Sequence, residues 1–152
     1  DMALIGSDPL FNDGAALGIV FEAKETVSLL KELKRHRQAV LRGNDDATEH
    51  RVLVHQHSVS FLSTSDHRVR SFYAVDGDYH LITNSEYLLN RFFEAGSGER
   101  SLGHLKEFRY ARSKTASARH CLAFLYLSDP FFQHLVSPRF HHAGEFVVHQ
   151  SL

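Results

Sequence analysis

This sequence has little of several features that define protein classes. It contains one cysteine in 152 residues, which rules out a disulfide within the chain. Its 17 basic and 18 acidic side chains nearly cancel, so no global charge is present to hold a nucleic acid or an anionic membrane. The longest apolar run, Cys121 to Leu127, has seven residues, whereas a membrane helix needs about 20. We therefore expect no nucleic-acid partner and no direct membrane span in this chain.

Signatures of catalysis are also missing from the sequence. It has no GxSxG elbow, no HExxH motif and no glycine loop of the GxxxxGK[ST] type. Cys121 is flanked by apolar residues, which predicts a buried packing thiol and not a nucleophile. The sequence predicts no catalytic residue, no cofactor-binding residue and no metal site, and it does not indicate an enzyme.

What is present indicates one globular domain. A chain of 152 residues with 43% hydrophobic residues is the size of a single domain with a sizeable core. It opens on Asp1-Met2-Ala3 and reaches a strand-like run within a few residues. We therefore expect a single domain over 1–152 that belongs to a longer chain, and any signal peptide or anchor would lie outside it.

The clearest folding unit runs from Arg68 to Gly96. Asp76-Gly77 is a strong hairpin signal, and as the two loop residues of a type I′ turn they would place Tyr73 opposite His80. Thr83-Asn84-Ser85-Glu86 has the spacing of a helix capping box. An apolar stripe follows and Gly96 ends it, so a helix is predicted after the second strand. The stripe consists of Leu88, Leu89, Phe92 and Phe93.

The remaining patterns complete an α+β fold. They predict an antiparallel meander sheet of about 4–6 strands with helices packed on one face. The Val52 to Ser63 segment alternates as one long strand that has His55, His57, Val59 and Phe61 on one side. Other predicted elements are a strand-like end at Leu4 to Gly6, a strand at Leu17 to Glu22, a helix at Glu25 to Arg42, a helix at Leu102 to Arg112, strands at Cys121 to Leu127 and Glu145 to His149, and a short helix from Ser128 to Val136.

An internal echo raises the question of duplication. The segments Leu4 to Phe11, LIGSDPLF, and Leu125 to Phe132, LYLSDPFF, share five of eight residues. A repeated unit would explain this similarity, and the chain would then hold one period and the start of the next. Convergence is the alternative, because a strand followed by Ser-Asp-Pro is also a common way to begin a helix.

Twelve histidines are many for a chain of this size. Only His55-Gln56-His57 has a metal-like spacing, since residues two apart on a strand project from one face. A cupin would have a glutamate where Phe61 and Leu62 stand, and a metal-dependent amidohydrolase would have an aspartate at Val59. Half-exposed strand histidines without a metal are the favoured interpretation.

One resemblance bears on context. The segments VRSFYAVDGDYHLITNS, SLGHLKEFRYAR and AFLYLSDPFFQHLVSP, roughly Arg68 to Pro138, resemble a domain of unknown function in large uncharacterised bacterial proteins. That resemblance implies a module of a long protein that is exported or associated with the cell envelope. It implies no active site, because the similar motifs are a hairpin and capped helices.

The function is therefore unknown from the sequence, and two interpretations stay open. The first is a non-catalytic scaffold or protein-interaction module whose partners are other domains of the same chain. The alternative is an enzyme or sensor domain that binds a metal or a small ligand near His55 and His57. A concave pocket with convergent polar groups and shifted pKa values would favour the alternative.

Overall fold

The computed structural model describes residues 2–7, 15–23, 26–114, 124–129 and 132. Within them it has six strands, three α-helices and one short 3-10 helix. The strands are β1 (Met2–Gly6), β2 (Leu17–Glu22), β3 (Thr48–Val54), β4 (His57–Ser63), β5 (Arg70–Asp76) and β6 (Tyr79–Thr83). The helices are α1 (Thr26–Gly43), α2 (Glu86–Gly96) and α3 (Lys106–Lys114), with the 3-10 helix at Leu102–His104.

The six strands form one antiparallel sheet in the order β1-β2-β6-β5-β4-β3. Strands β3 to β6 are a meander in which each strand pairs with the next along the chain. Strand β2 pairs with β6, so α1 connects two strands that lie far apart in the sheet. The predicted α+β class and antiparallel sheet are confirmed.

The two sides of the sheet are covered by different helices. On one side, here the α2 face, Leu89 and Phe93 of α2 join Phe72, Ala74 and Leu81 in the buried core. This burial removes apolar surface from water and is the main stabilising term of the fold. On the opposite side, the α1 face, Arg37 of α1 donates hydrogen bonds to side chains of β4 and β5.

The predicted single strand from Val52 to Ser63 is wrong, because the chain turns back in its middle. His55 and Gln56 have φ angles of 46° and 66° and form a two-residue loop, with Val54 paired to His57. Two successive positive φ angles are the signature of a type I′ turn, whose twist suits a hairpin. The turn lacks the usual Asn-Gly or Asp-Gly, and the alternation continued through it, so the pattern resembled one strand.

The hairpin between β5 and β6 exists, but its register differs from the predicted one by one residue. The loop residues are Gly77 and Asp78, and Asp76 pairs with Tyr79. Gly77 has a φ of 58°, and glycine in the first loop position is typical of a type II′ turn. Tyr73 therefore lies across from Ile82, with His80 as its diagonal neighbour.

Helix α2 begins two residues later than the capping-box spacing predicts. Ser85 is the N-cap and its hydroxyl accepts a hydrogen bond from the Leu88 amide. The Thr83 hydroxyl instead donates to the Leu17 carbonyl, which ties β6 to the neighbouring strand β2. The predicted apolar stripe is confirmed at Leu88, Leu89 and Phe93, which are buried.

The last described segments pack around α3. The predicted helix from Leu102 to Arg112 is divided into the 3-10 helix and α3. Residues 124–127 form no strand, in contrast to the prediction, and the Phe124 and Tyr126 rings contact Phe108 of α3. Cys121, residues 8–11 of the first Ser-Asp-Pro segment, residues 130 and 131 of the second, and the predicted last strand lie outside the described residues. No helix in the described part of the chain is long and apolar enough to cross a membrane.

Candidate functional site

The structure separates the two histidines that had metal-like spacing. His55 lies in the loop and His57 begins β4, so they do not project from one strand face as predicted. Both imidazoles contact the ring of Phe93 on α2, with centroid distances of 6.1 Å for His55 and 4.3 Å for His57. Among the described residues no group of three or more His, Cys, Asp or Glu side chains could hold a metal ion. Their observed contacts are aromatic packing at one end of α2.

The α2 face contains an open trough beside the helix. Helix α2 contacts β5 and β6, and the trough extends over the neighbouring strands toward β3, the outer strand of the sheet. Its volume is about 400 Å³, within the range of pockets that hold small molecules. Its apolar lining includes Val52, Val54, Phe61 and Phe72.

Three aromatic rings form a ladder across the floor of the trough. Phe61 pairs with Phe72 on β5 and with His50 on β3, so the three side chains point to the same face. The Phe61 and Phe72 rings stack at 4.3 Å between centroids, and His50 meets Phe61 edge-on at 5.2 Å. Phe72 is buried and stacks face to face with Phe61, so the ladder is open to solvent mainly at its His50 end, where the histidine is exposed.

Polar side chains line the same trough. Arg70 lies with its guanidinium carbon 5.6 Å from the centroid of Phe72, a cation–π arrangement. His67, in the turn before β5, and Glu86, the first residue of α2, also contribute to the lining. Arg70 has no carboxylate partner among the described residues, unlike its neighbour Arg68, which pairs with Asp66. The trough therefore combines an aromatic floor with an uncompensated cation.

A buried polar pair lies on the other side of the sheet. The imidazole of His80 is 1% exposed, stacks on Phe21 at 5.3 Å, and has Nδ1 2.8 Å from the Tyr73 hydroxyl. Burial lowers the pKa of His80, against a smaller opposing effect of the Asp78 carboxylate. Burial also raises the pKa of Tyr73, and the nearby Arg37 charge partly opposes that rise. Both groups are therefore held in their neutral forms near neutral pH.

Arg37 anchors α1 to the α1 face through a polar network. Its side chain is 12% exposed, and Nε lies 2.7 Å from the Glu49 carboxylate. The guanidinium also donates to the hydroxyls of Ser60 and Ser71, and Ser60 donates to Glu49 at 2.6 Å. Burial alone would raise the pKa of Glu49, but the hydrogen bonds from Ser60 and Arg37 together hold it below its ordinary value. The guanidinium donates to a carboxylate, two hydroxyls and the Ser71 carbonyl, an arrangement that holds α1 against the sheet.

Two turn carboxylates, Asp66 and Asp46, have structural roles. Asp66 accepts hydrogen bonds from the Thr64 hydroxyl and the Arg68 amide, and these bonds lower its pKa. Asp46 accepts from the Ser65 amide at 2.9 Å, and bonds from Ser65 lower its pKa as well. His141 and His142 lie outside the described residues.

An exposed apolar patch covers the outer part of the α1 face. It consists of Met2 and Leu4 on β1 with Leu17 and Ile19 on β2, and Leu4 pairs directly with Ile19. Leu4 is 75% exposed. Strand β1 pairs only with β2 among the described strands, so its outer backbone edge is free there. These four side chains form what we call the β1–β2 patch.

The sequence interpretation identified neither the trough nor the patch. The aromatic ladder depends on three strands in register, and the alternation from Val52 to Ser63 predicts one strand, which hides the pairing of His50 with Phe61. One sequence signal for the ladder is present. Phe61 and Phe72 flank the polar turn at Ser65 and Asp66, and a hairpin at that turn places the two rings opposite each other.

Comparisons with known proteins add little to this geometry. No protein-family model and no curated protein matches the chain. One solved structure aligns with it, a Pseudomonas aeruginosa protein of unknown function with a suggested regulatory role. The alignment covers 69% of this chain and 81% of that chain at 10% identity, with a TM-score of 0.32. A likeness at that level carries no argument about activity, so the function is not identified by similarity.

Proposed function

We propose that this chain is a non-catalytic protein-interaction module of a larger bacterial protein. Its partner is another domain of the same polypeptide, and the contact surface is the β1–β2 patch. The observation that carries the proposal is the exposure of four neighbouring aliphatic side chains on one side of two paired strands.

Apolar side chains in contact with one another on a surface favour a protein partner. Single exposed aliphatic residues are ordinary, but a contiguous patch commonly marks an interaction site. Soluble proteins usually protect a free edge strand with lysine, proline or a bulge. The β1 sequence, MALIG, has none of these protections and no charged residue. A partner that covers the patch would bury apolar area and could pair with the free edge of β1.

Hydrogen–deuterium exchange in the parent protein tests this proposal. The isolated chain and the full-length protein are compared for exchange of amides in β1 and β2. We expect slower exchange of these strands in the full-length protein, because a neighbouring domain would cover them. We expect Leu4→Ser to restore the faster exchange in the full-length protein, since it weakens the apolar contact.

Leu53→Ser is the matched control. Leu53 lies on β3 at the opposite edge of the same sheet and is also 75% exposed. It should leave the protection of β1 and β2 unchanged. Equal exchange of these strands in the isolated and full-length proteins would contradict the proposal, and so would equal effects of the two serine substitutions.

A further inference from the structure

The trough on the α2 face has chemistry that the proposed interaction surface does not use. We propose that it binds a small aromatic carboxylate, with the ring of the ligand on the His50–Phe61–Phe72 ladder and its carboxylate at Arg70. This binding site lies on the opposite side of the sheet from the β1–β2 patch, so either proposal can fail without the other.

The floor of the trough suits a flat aromatic group. The stacked and edge-on rings of this ladder, at 4.3 Å and 5.2 Å, form an aromatic lining of an open space of about 400 Å³, in which His50 and Phe61 are the more exposed rings. A ring laid on such a surface gains apolar burial and the orientation-dependent attraction between aromatic groups. The available volume is that of a small-molecule site and not of a protein-sized groove.

The charge of the trough selects the polar end of the ligand. Arg70 presents planar donors that match a carboxylate in a bidentate geometry. It has no acidic partner among the described residues, so binding would not have to break an existing ion pair. Of the described residues that line the trough, Arg70 is the single side chain with a permanent positive charge and Glu86 the single acidic one. The guanidinium beside the Phe72 ring therefore fixes where the anionic end of a ligand would lie.

Phenylacetate is the probe for this site, and phenethylamine is its cationic counterpart with a similar ring and chain. Each is titrated into the 152-residue chain by isothermal calorimetry, with ligand-observed NMR as a second readout. We expect saturable phenylacetate binding with a dissociation constant on the order of 1 mM or tighter. We expect phenethylamine to bind at least about tenfold more weakly, because the cation would face Arg70.

Substitutions at two neighbouring arginines test whether phenylacetate binds in the trough or elsewhere on the surface. Arg70→Gln should weaken phenylacetate binding about tenfold or more, because it removes the charged donor. Arg68→Gln is the matched control and should have no effect, since Arg68 is 88% exposed and pairs with Asp66 outside the trough. Arg70→Lys keeps the positive charge but loses the planar pair of donors that can bind a carboxylate in a bidentate geometry, and it should give an intermediate affinity for phenylacetate. Melting temperatures of the variants verify that each one is folded.

Three results would overturn the proposal. The first is the absence of saturable phenylacetate binding to the folded wild-type chain at concentrations up to about tenfold above the expected dissociation constant. The second is equal binding of the amine and the acid, which requires no variant and so does not depend on whether Arg70→Gln folds. The third is an equal loss of affinity in Arg70→Gln and Arg68→Gln.

Discussion

The Tyr73 hydroxyl and Nδ1 of His80 are 2.8 Å apart on the α1 face, in a part of the sheet where the imidazole is almost fully buried. Nε2 of the same ring has no hydrogen-bond partner among the described residues. Nδ1 accepts from or donates to the Tyr73 hydroxyl according to the tautomer, whereas Nε2 lacks a partner in both, and a proton on both nitrogens would place a charge in an apolar setting. The buried ring is neutral for this reason.

The stability of the domain should decrease on mild acidification. The pKa of His80 is lowered in the folded state from an unfolded value of about 6.5. The unfolded chain then binds the proton first, so the contribution of His80 is complete above about pH 6.5 and is lost as the pH falls below that value. Protonation of all twelve histidines would also move the formal charge from −1 toward about +11. We expect a smaller free energy of unfolding at pH 5 than at pH 7.5, measured by urea denaturation.

Two variants separate the buried ring from the general charge effect. His80→Phe keeps an aromatic ring next to Phe21 but cannot be protonated, so its stability should depend less on pH. His104→Gln removes an exposed histidine and should keep the wild-type pH dependence. High salt should reduce the part that comes from repulsion between exposed charges. An equal pH dependence in wild type and His80→Phe would exclude His80 as a contributor.

A second prediction concerns the attachment of α1 through Arg37 and Glu49. Arg37→Met removes the cation and leaves Glu49 bonded only to Ser60 within the network, so we expect a loss of about 1–3 kcal/mol in the free energy of unfolding. Glu49→Gln should be destabilising for the same reason, because it leaves the guanidinium without its carboxylate. Urea denaturation of both single variants measures these losses.

The double variant provides the control for that pair. If the two charges stabilise each other, Arg37→Met with Glu49→Gln should lose less than the sum of the two single losses, because neither charge is then left unpaired. Strict additivity would show that Arg37 and Glu49 are not an energetically coupled pair.

The elements that could be predicted are those whose signals are local. Strand β2 is found at its predicted bounds, and α1 begins and ends within one residue of its own predicted bounds. An apolar run specifies the strand and an apolar helical stripe that ends at Gly43 specifies the helix, so each pattern is sufficient without tertiary contacts. The hairpin loop at His55 and Gln56 could not be predicted in this way, since its two residues adopt left-handed conformations without glycine or asparagine. There the pairing of two strands overrides the local preference.

The candidate site was less predictable than the fold. Each trough residue is ordinary in sequence, and the ladder arises only when β3, β4 and β5 are in register. The β1–β2 patch has the same origin, because the apolar pattern of each strand indicates burial and cannot show that one side is uncovered. Both features depend on tertiary arrangement, which the pattern of a single segment does not contain.

A third prediction concerns metal content. The tag-free chain should contain less than one equivalent of zinc, nickel or copper, because a structural zinc site needs four ligands and the described residues supply no group of three. Mass spectrometry of the elements in purified protein measures this. Stoichiometric metal that is lost in His55→Ala but kept in His104→Ala would contradict the prediction and favour a metal site at the β3–β4 loop.

The last prediction concerns the loop between β5 and β6. A Cβ at Gly77 would meet no atom within 4 Å, so a side chain has space there, but a φ of 58° is a strained conformation for a β-branched residue. Gly77→Val should therefore destabilise the domain by about 1 kcal/mol or more. Thermal melting and urea denaturation measure the loss, which comes from the backbone conformation and not from a steric clash.

Comparison with two further substitutions identifies that cause. Gly77→Asn should cost less than Gly77→Val, because asparagine tolerates the left-handed region. Gly43→Val introduces the same side chain into equally open space at the end of α1, where the φ is not positive, and should be close to neutral. If Gly77→Val and Gly43→Val had the same effect, the positive φ would not be the source of the loss, and the turn in solution would differ from the Gly77-Asp78 loop. A loss confined to Gly77→Val would instead confirm that the β5–β6 register depends on this one glycine, and the same register aligns Tyr73 diagonally with His80.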